Sequence, residues 1–217
     1  EAAKDVAAEF INGRPNDNIG ITLFAGESFT QCPLTVDHAV LLDMIHNIKC
    51  GLIEDGTAVG MGIANAVTRL KDSKAKSKVI ILLTDGTNNK GDISPMTAAE
   101  IAKSFGIRVY TIGVGTNGMA PYPYPVGNTV QYVSMPVEID EKTLTQIAGT
   151  TDGNYFRATS NSKLKEVYEE IDKLEKTKLN VKEYSKRDEE YHWFALAAFL
   201  CVLLEVLLRN SILKKIP

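Results

Sequence analysis

Between residues 79 and 83 the chain reads Val-Ile-Ile-Leu-Leu, an apolar run that ends abruptly in Thr84-Asp85-Gly86. A short continuous run bounded by turn residues predicts a strand buried on both faces. Around it, apolar residues alternate between strand spacing and helical spacing. Residues 19–25 and 107–115 read as strands, as does 154–159, "NYFRAT". Gly26-Glu27 predicts a hairpin turn into 28–35, an edge-like strand because it contains Pro33. Helices are expected after Asp37 as N-cap, from near Thr57, and between Ser94-Pro95 and Gly106. Two more are expected over 140–149 and 160–178, the second carrying Leu164, Val167, Ile171 and Leu174 on one stripe. At the start, Ala3, Val6, Ala7, Phe10 and Ile11 fall on one helical face, with Asn12-Gly13 as the stop. Strands separated by helices of this length define an α/β fold, a doubly wound, mostly parallel sheet flanked by helices.

The end of the chain has a different pattern. Trp193 to Leu208 is apolar except for Glu205, and with Tyr191 it approaches the ~20 residues that span a bilayer. The expected organisation is therefore a domain over 1–179, a charged linker over 180–190, a transmembrane helix over 191–209 and a tail over 210–217. Basic residues flank the apolar segment evenly: Lys182, Lys186 and Arg187 before it, Arg209, Lys214 and Lys215 after it. Charge alone does not orient it.

Composition changes this picture little. The 217 residues are 44% hydrophobic and 24% charged, with a net charge of −3, ordinary for a globular domain plus one small element. Its 24 basic residues are scattered and outnumbered by 27 acidic ones, which argues against a nucleic-acid partner. Cysteines at 32, 50 and 201 and histidines at 38, 46 and 192 have no zinc spacing. Cys32 and Cys50 either pair in an oxidising compartment or remain half-buried thiols; spacing does not decide.

Three stretches carry candidate chemistry. Gly113 to Gly118, "GVGTNG", matches a dinucleotide fingerprint, but three prolines in the next few residues forbid the helix that must follow, so no nucleotide is expected. Thr57, in "EDGTAVGMG", is either a helix N-cap or a ligand; Asp85 is either a turn former or a ligand. Both fall where strands of a parallel sheet end and helices begin, the edge at which such folds bind ligands. A hydroxyl and a carboxylate are hard oxygens suited to Mg²⁺ or Mn²⁺, though two protein ligands make a weak site. Finally, 119–136, "MAPYPYPVGNTVQYVSMP", is a hairpin or an exposed decoration, and its Tyr122, Tyr124 and Tyr132 are residues that partner interfaces favour.

The segments "DGTAVGMGIANAVTRL", "KVIILLTDGTNNKG", "IRVYTIGVGT", "IDEKTLTQIAGTTDGNYFRAT" and "LKEVYEEIDKLEKT" resemble successive parts of a von Willebrand factor A (VWA) domain, from Glu1 to about Lys178. With the apolar tail, the likeness is to the BatA-type membrane proteins of Bacteroides aerotolerance operons. The resemblance implies a metal-ion-dependent adhesion site (MIDAS) for Mg²⁺ or Mn²⁺, with Thr57 and Asp85 matching two of its ligands. It implies protein recognition rather than catalysis, with other Bat proteins and a MoxR-like AAA+ ATPase as associates. It also implies a bacterial inner-membrane protein with an exported domain and a cytoplasmic tail. The family's D-x-S-x-S loop is absent from this sequence, and so is the first strand, which lies mid-sheet. The chain is thus expected to be truncated at its N-terminus, to have an interrupted sheet and to bind a cation weakly or not at all. The alternatives are a metal-free scaffold and a Mg²⁺-dependent hydrolase or phosphoryl-transfer domain using Asp85. The second needs a cationic clamp, for which Lys90 is the only nearby candidate, and an acid or base that neither His38 nor His46 is placed to provide.

Overall fold

The computed structural model describes the backbone of residues 2–49, 51, 53–115, 118–126, 129–137, 139–185 and 191–211. Side chains are described over most of 3–115 and 139–176 and in part of 194–208. The chain forms two compact units, 1–176 and 177–217.

In the first unit, α1 (Ala2–Asn12) leads into the hairpin β1 (Ile19–Phe24) and β2 (Ser28–Thr35), then α2 (His38–His46). α3 (Val59–Leu70), β3 (Val79–Thr84), α4 (Pro95–Ser104) and β4 (Arg108–Val114) follow. A second hairpin, β5 (Gly118–Val126) and β6 (Thr129–Val137), precedes α5 (Glu141–Thr150), β7 (Tyr155–Ala158) and α6 (Asn161–Ser185). The strands form a parallel sheet in the order β3-β4-β7 and two antiparallel pairs, β1-β2 and β5-β6. Among the described residues β3 has one strand partner, β4, and β1 pairs only with β2. The β1-β2 pair and the β3-β4-β7 sheet share no strand pairing among the described residues, and α3 packs against β1, β2 and β3 alike.

Helices cover both faces of the parallel sheet, which is what a strand apolar throughout requires. Ile80 and Leu82 face a core built from α3 (Val59, Ile63, Val67), α4 (Ala98, Ala99, Ala102) and α5 (Leu144, Ile147). Val79, Ile81 and Leu83 face the other way, with Tyr110 and Ile112, onto Val6 of α1 and Leu164, Val167, Tyr168 and Ile171 of α6. A third cluster joins Ile11, Cys32, Leu41 and Ile45 beneath the first hairpin. Cys32 is a buried free thiol; Cys50 lies outside the described residues.

Local signals place several boundaries. Asp37 accepts the Val40 N–H, Ser94 accepts the Thr97 N–H, and Asp140 accepts the Thr143 N–H, each acting as an N-cap. Gly106, at φ +65°, takes the left-handed conformation that ends α4.

In the second unit the helical residues of α6 run to Ser185, into the stretch expected as linker, and α7 spans Tyr191–Ser211. The expected transmembrane span is not supported: among the described residues no helix is long and apolar enough to cross a membrane. Glu205 interrupts the apolar residues of α7. Those side chains are nonetheless exposed, Phe194, Phe199, Val202 and Leu204 each by more than half.

Candidate functional site

Two loops meet at the C-terminal edge of the parallel sheet: residues 53–58, entering α3, and 85–94, leaving β3. Their contact is made by backbone, by two asparagines and by a Lys90–Glu54 ion pair. Asn89 Oδ1 accepts the Thr57 N–H at 2.8 Å, and the Asn89 and Lys90 N–H groups donate to the Thr57 carbonyl at 3.0 and 3.3 Å. Asn88 Oδ1 accepts the Val59 N–H at 2.8 Å. On the far side, the Ala58 N–H donates to the Ala25 carbonyl at 2.6 Å and Gly26 N–H to the Glu54 carbonyl at 2.8 Å. Glycine permits the approach: a Cβ on Gly60 would lie 2.0 Å from the Ile93 carbonyl oxygen.

These bonds correct the capping role considered for Thr57. The N-cap of α3 is Ala58, which has no side chain able to cap, and Asn88 satisfies the helix's orphan N–H from the neighbouring loop. The half-buried Thr57 hydroxyl sits over the turn after β3, 3.5 Å from where a Cβ on Gly86 would stand. Asp85, the residue before Gly86, is exposed, and no hydrogen bond or ion pair engages its carboxylate among the described residues. Thr84 Oγ1, not Asp85, makes the turn contacts with Gly86, at 3.3 and 3.4 Å. The fold therefore brings the two candidate ligands onto adjoining loops with their oxygens uncommitted.

In donor chemistry the pair fits a hard divalent cation, one hydroxyl and one carboxylate. In number it is a partial set, since Mg²⁺ takes about six oxygens. Among the described residues no group of three or more His, Cys, Asp or Glu could hold a metal. A cleft of about 300 Å³ lies between the first hairpin and these loops, lined by Gly26, Glu27, Ser28, Glu54, Met61, Gly91 and Asp92; neither Thr57 nor Asp85 lines it. Lys90 pairs with Glu54 at 2.6 Å, and the hydrogen bond and charge of Lys90 hold the Glu54 carboxyl below its usual range. His38 and His46 are engaged elsewhere, His38 Nε2 with the Asp17 carbonyl and His46 Nδ1 with the Leu42 carbonyl.

Asn88 and Asn89 are the residues that sequence reasoning missed. Their only signal was a polar run directly after a candidate ligand, in "DGTNNKG". The strand β5 opens at Gly118, where a nucleotide fingerprint would need a helix. The tyrosine-bearing segment is a hairpin with Tyr122 opposite Val133, Pro123 opposite Tyr132 and Tyr124 opposite Gln131. This register places Tyr122 and Tyr124 on one face and Tyr132 on the other; their side chains lie outside the described residues.

A doubly wound sheet with paired loops at this edge matches the model of the von Willebrand factor type A domain over residues 1–170, and the chain belongs to that family. Among solved structures it is similar to the conserved hypothetical protein BatB from Bacteroides thetaiotaomicron, 32% identical, covering 80% of this chain and 87% of that one, with a TM-score of 0.69. It is also similar to an aerotolerance-related membrane protein from Bacteroides fragilis carrying multiple mutations to serines, 29% identical over 80% of this chain and 86% of that one, TM-score 0.69. A third likeness is to proximal thread matrix protein 1 from the mussel byssus with a zinc-occupied MIDAS motif: 25% identity, 80% and 39% coverage, TM-score 0.61. Against the curated relatives it matches, the chain spans 64% of the length of one and 50% of another.

Proposed function

We propose that this VWA domain is membrane-attached and recognises a partner protein through a divalent cation, with Thr57 and Asp85 as two of the cation's oxygen ligands. The observation that carries the reading is the Thr57 hydroxyl lying against Gly86, beside an Asp85 carboxylate with no competing partner. Mg²⁺ or Mn²⁺ is the fitting ion, and a partner carboxylate can complete its shell together with water. The zinc-occupied MIDAS motif of the mussel protein supports the idea that this fold can hold a metal. Likeness to BatB and to an aerotolerance-related membrane protein supports a membrane setting. The associates and placement in this proposal are other Bat-type proteins and a MoxR-like ATPase, with the domain on the exported face of a bacterial inner membrane. The exposed apolar surface of α7 is the natural point of attachment to lipid. The role in this reading is recognition rather than catalysis: Lys90 is committed to Glu54, and His38 and His46 are engaged elsewhere.

A thermal melt in Mn²⁺ or Mg²⁺ against EDTA tests the reading. With only two side-chain ligands the dissociation constant is in the millimolar range, and cation at ten times that value stabilises by about 1.4 kcal/mol. The shift should vanish in Asp85→Ala and Thr57→Val. No shift in a folded wild-type chain would favour the second reading, a metal-free scaffold, which draws on the absence of a three-ligand cluster among the described residues.

A further inference from the structure

We propose that the outer edge of β6 pairs with the β6 edge of a second copy of this chain, giving a four-stranded sheet that cannot grow further. The hairpin pairs in register over its whole length, from Gly118 opposite Val137 to Val126 opposite Thr129, and neither outer edge has a strand partner among the described residues. Residues of an antiparallel pair alternate: at one position both backbone groups point at the partner strand, at the next both point outward. Pro121, Pro123 and Pro125 share one parity on β5, and Pro136 sits at the same parity on β6, opposite Met119. Proline has no N–H to give the ladder, so these four occupy the outward positions. The two-residue connection, 127–128, agrees, since it makes its flanking pair, Val126 and Thr129, an inward one.

The two edges then differ. Along β5, three successive outward positions have a carbonyl and no donor, so another strand cannot add there. Along β6, the outward positions opposite those prolines are Val130, Tyr132 and Ser134, each offering an N–H and a C=O on an edge with no strand partner among the described residues. Exposed edges are usually protected by charge, and neither strand, GMAPYPYPV or TVQYVSMPV, contains a charged residue. The protection on β5 is proline; β6 has none until Pro136.

A second copy fits this edge better than an unrelated strand. Antiparallel pairing about a two-fold axis at Tyr132 sets Val130 against Ser134 of the other copy, and forms about six hydrogen bonds, two per pair. Uncharged strands meet without repulsion. Both outer strands of the result are proline-closed β5, so association stops at two copies instead of running on as a fibre.

Sedimentation of the full chain in detergent tests this. Wild type should form a dimer. Tyr132→Pro or Ser134→Pro removes an outward N–H while leaving the β5-β6 ladder intact, and should weaken association by about tenfold or more. The melting temperature confirms that these variants fold. As a second measurement, in a background with Cys50 and Cys201 replaced by serine, Tyr132→Cys should cross-link to itself on oxidation. Val130→Cys should cross-link only when mixed with Ser134→Cys. A monomeric wild type, or proline variants that dimerise as well as wild type, would overturn the proposal; so would self-linking of Val130→Cys equal to that of Tyr132→Cys.

Discussion

Asn89 Oδ1 accepts the backbone N–H of Thr57 at 2.8 Å, across 32 residues of sequence. The bond fixes where Thr57 stands relative to Asp85, because Asn89 and Asp85 belong to the same short loop. Asn88 does the same for Val59 and, in doing so, caps α3. Replacing either asparagine with alanine leaves an N–H of the α3 entry unpaired and should cost about 1 kcal/mol. Thermal melts measure the cost, and faster hydrogen exchange at Thr57 or Val59 assigns it to the right loop. Equal exchange in wild type and variant would show that the loops hold together without the asparagines.

Asp85 predicts the opposite signature. Its carboxylate is exposed and unpaired among the described residues, so Asp85→Asn should change stability without cation by no more than about 0.5 kcal/mol. Stabilisation by Mn²⁺ should nevertheless disappear. Separating the two effects needs melts in EDTA and in Mn²⁺ on the same protein. A large loss in EDTA would mean that Asp85 is a structural turn residue after all.

How much of this was legible depends on the range of each interaction. Ser94, Pro95 and Gly106 mark α4 because a cap and a stop act within one turn of their own helix. The Val79–Leu83 run marks a doubly covered strand because every residue must be buried on one side or the other. α3 is legible as a helix from near Thr57, but its cap is not, since that comes from a loop 29 residues later and no local pattern encodes it. The tyrosines of the hairpin read as a set of three, but register divides them, and register is a property of the pair of strands rather than of either one. The sequence placed Thr57 and Asp85 on one edge of the sheet; only the fold brings the Thr57 hydroxyl onto Gly86.

Gly60 tests how tightly α3 must approach the loop after β3. An alanine Cβ there would stand 2.0 Å from the Ile93 carbonyl oxygen and 2.8 Å from the Ser94 carbonyl carbon, both backbone atoms that cannot swing aside. Gly60→Ala should therefore destabilise by about 1–3 kcal/mol, despite alanine's better helix propensity. Denaturant unfolding gives the value. Gly149→Ala is the control, because nothing lies within 4 Å of its Cβ position. It should be neutral or slightly stabilising.

Glu175 predicts an acid limit to stability. It is buried in α6 and accepts hydrogen bonds from Arg108 Nε at 2.9 Å, from the Tyr110 hydroxyl at 2.6 Å and from Ser77 Oγ at 2.8 Å. Arg108 Nη2 also pairs with it. Burial by itself pushes the Glu175 carboxyl up, but the hydrogen bonds from Arg108, Tyr110 and Ser77 outweigh it and hold the group below its usual value. Burial and the same carboxylate push the Tyr110 hydroxyl up, so it stays a donor. With the native value depressed, the unfolded chain takes up the proton first. The stabilisation is complete above the unfolded glutamate value of about 4.3 and is lost as pH falls through the native one. Glu175→Gln should flatten that acid slope in urea unfolding measured from pH 6 to pH 3. At neutral pH it should cost about 1–3 kcal/mol, because the part-buried Arg108 is left without its counter-charge. An unchanged slope would mean that other carboxylates set the acid limit, and that the Arg108–Glu175 pair ties α6 to β4 without controlling it.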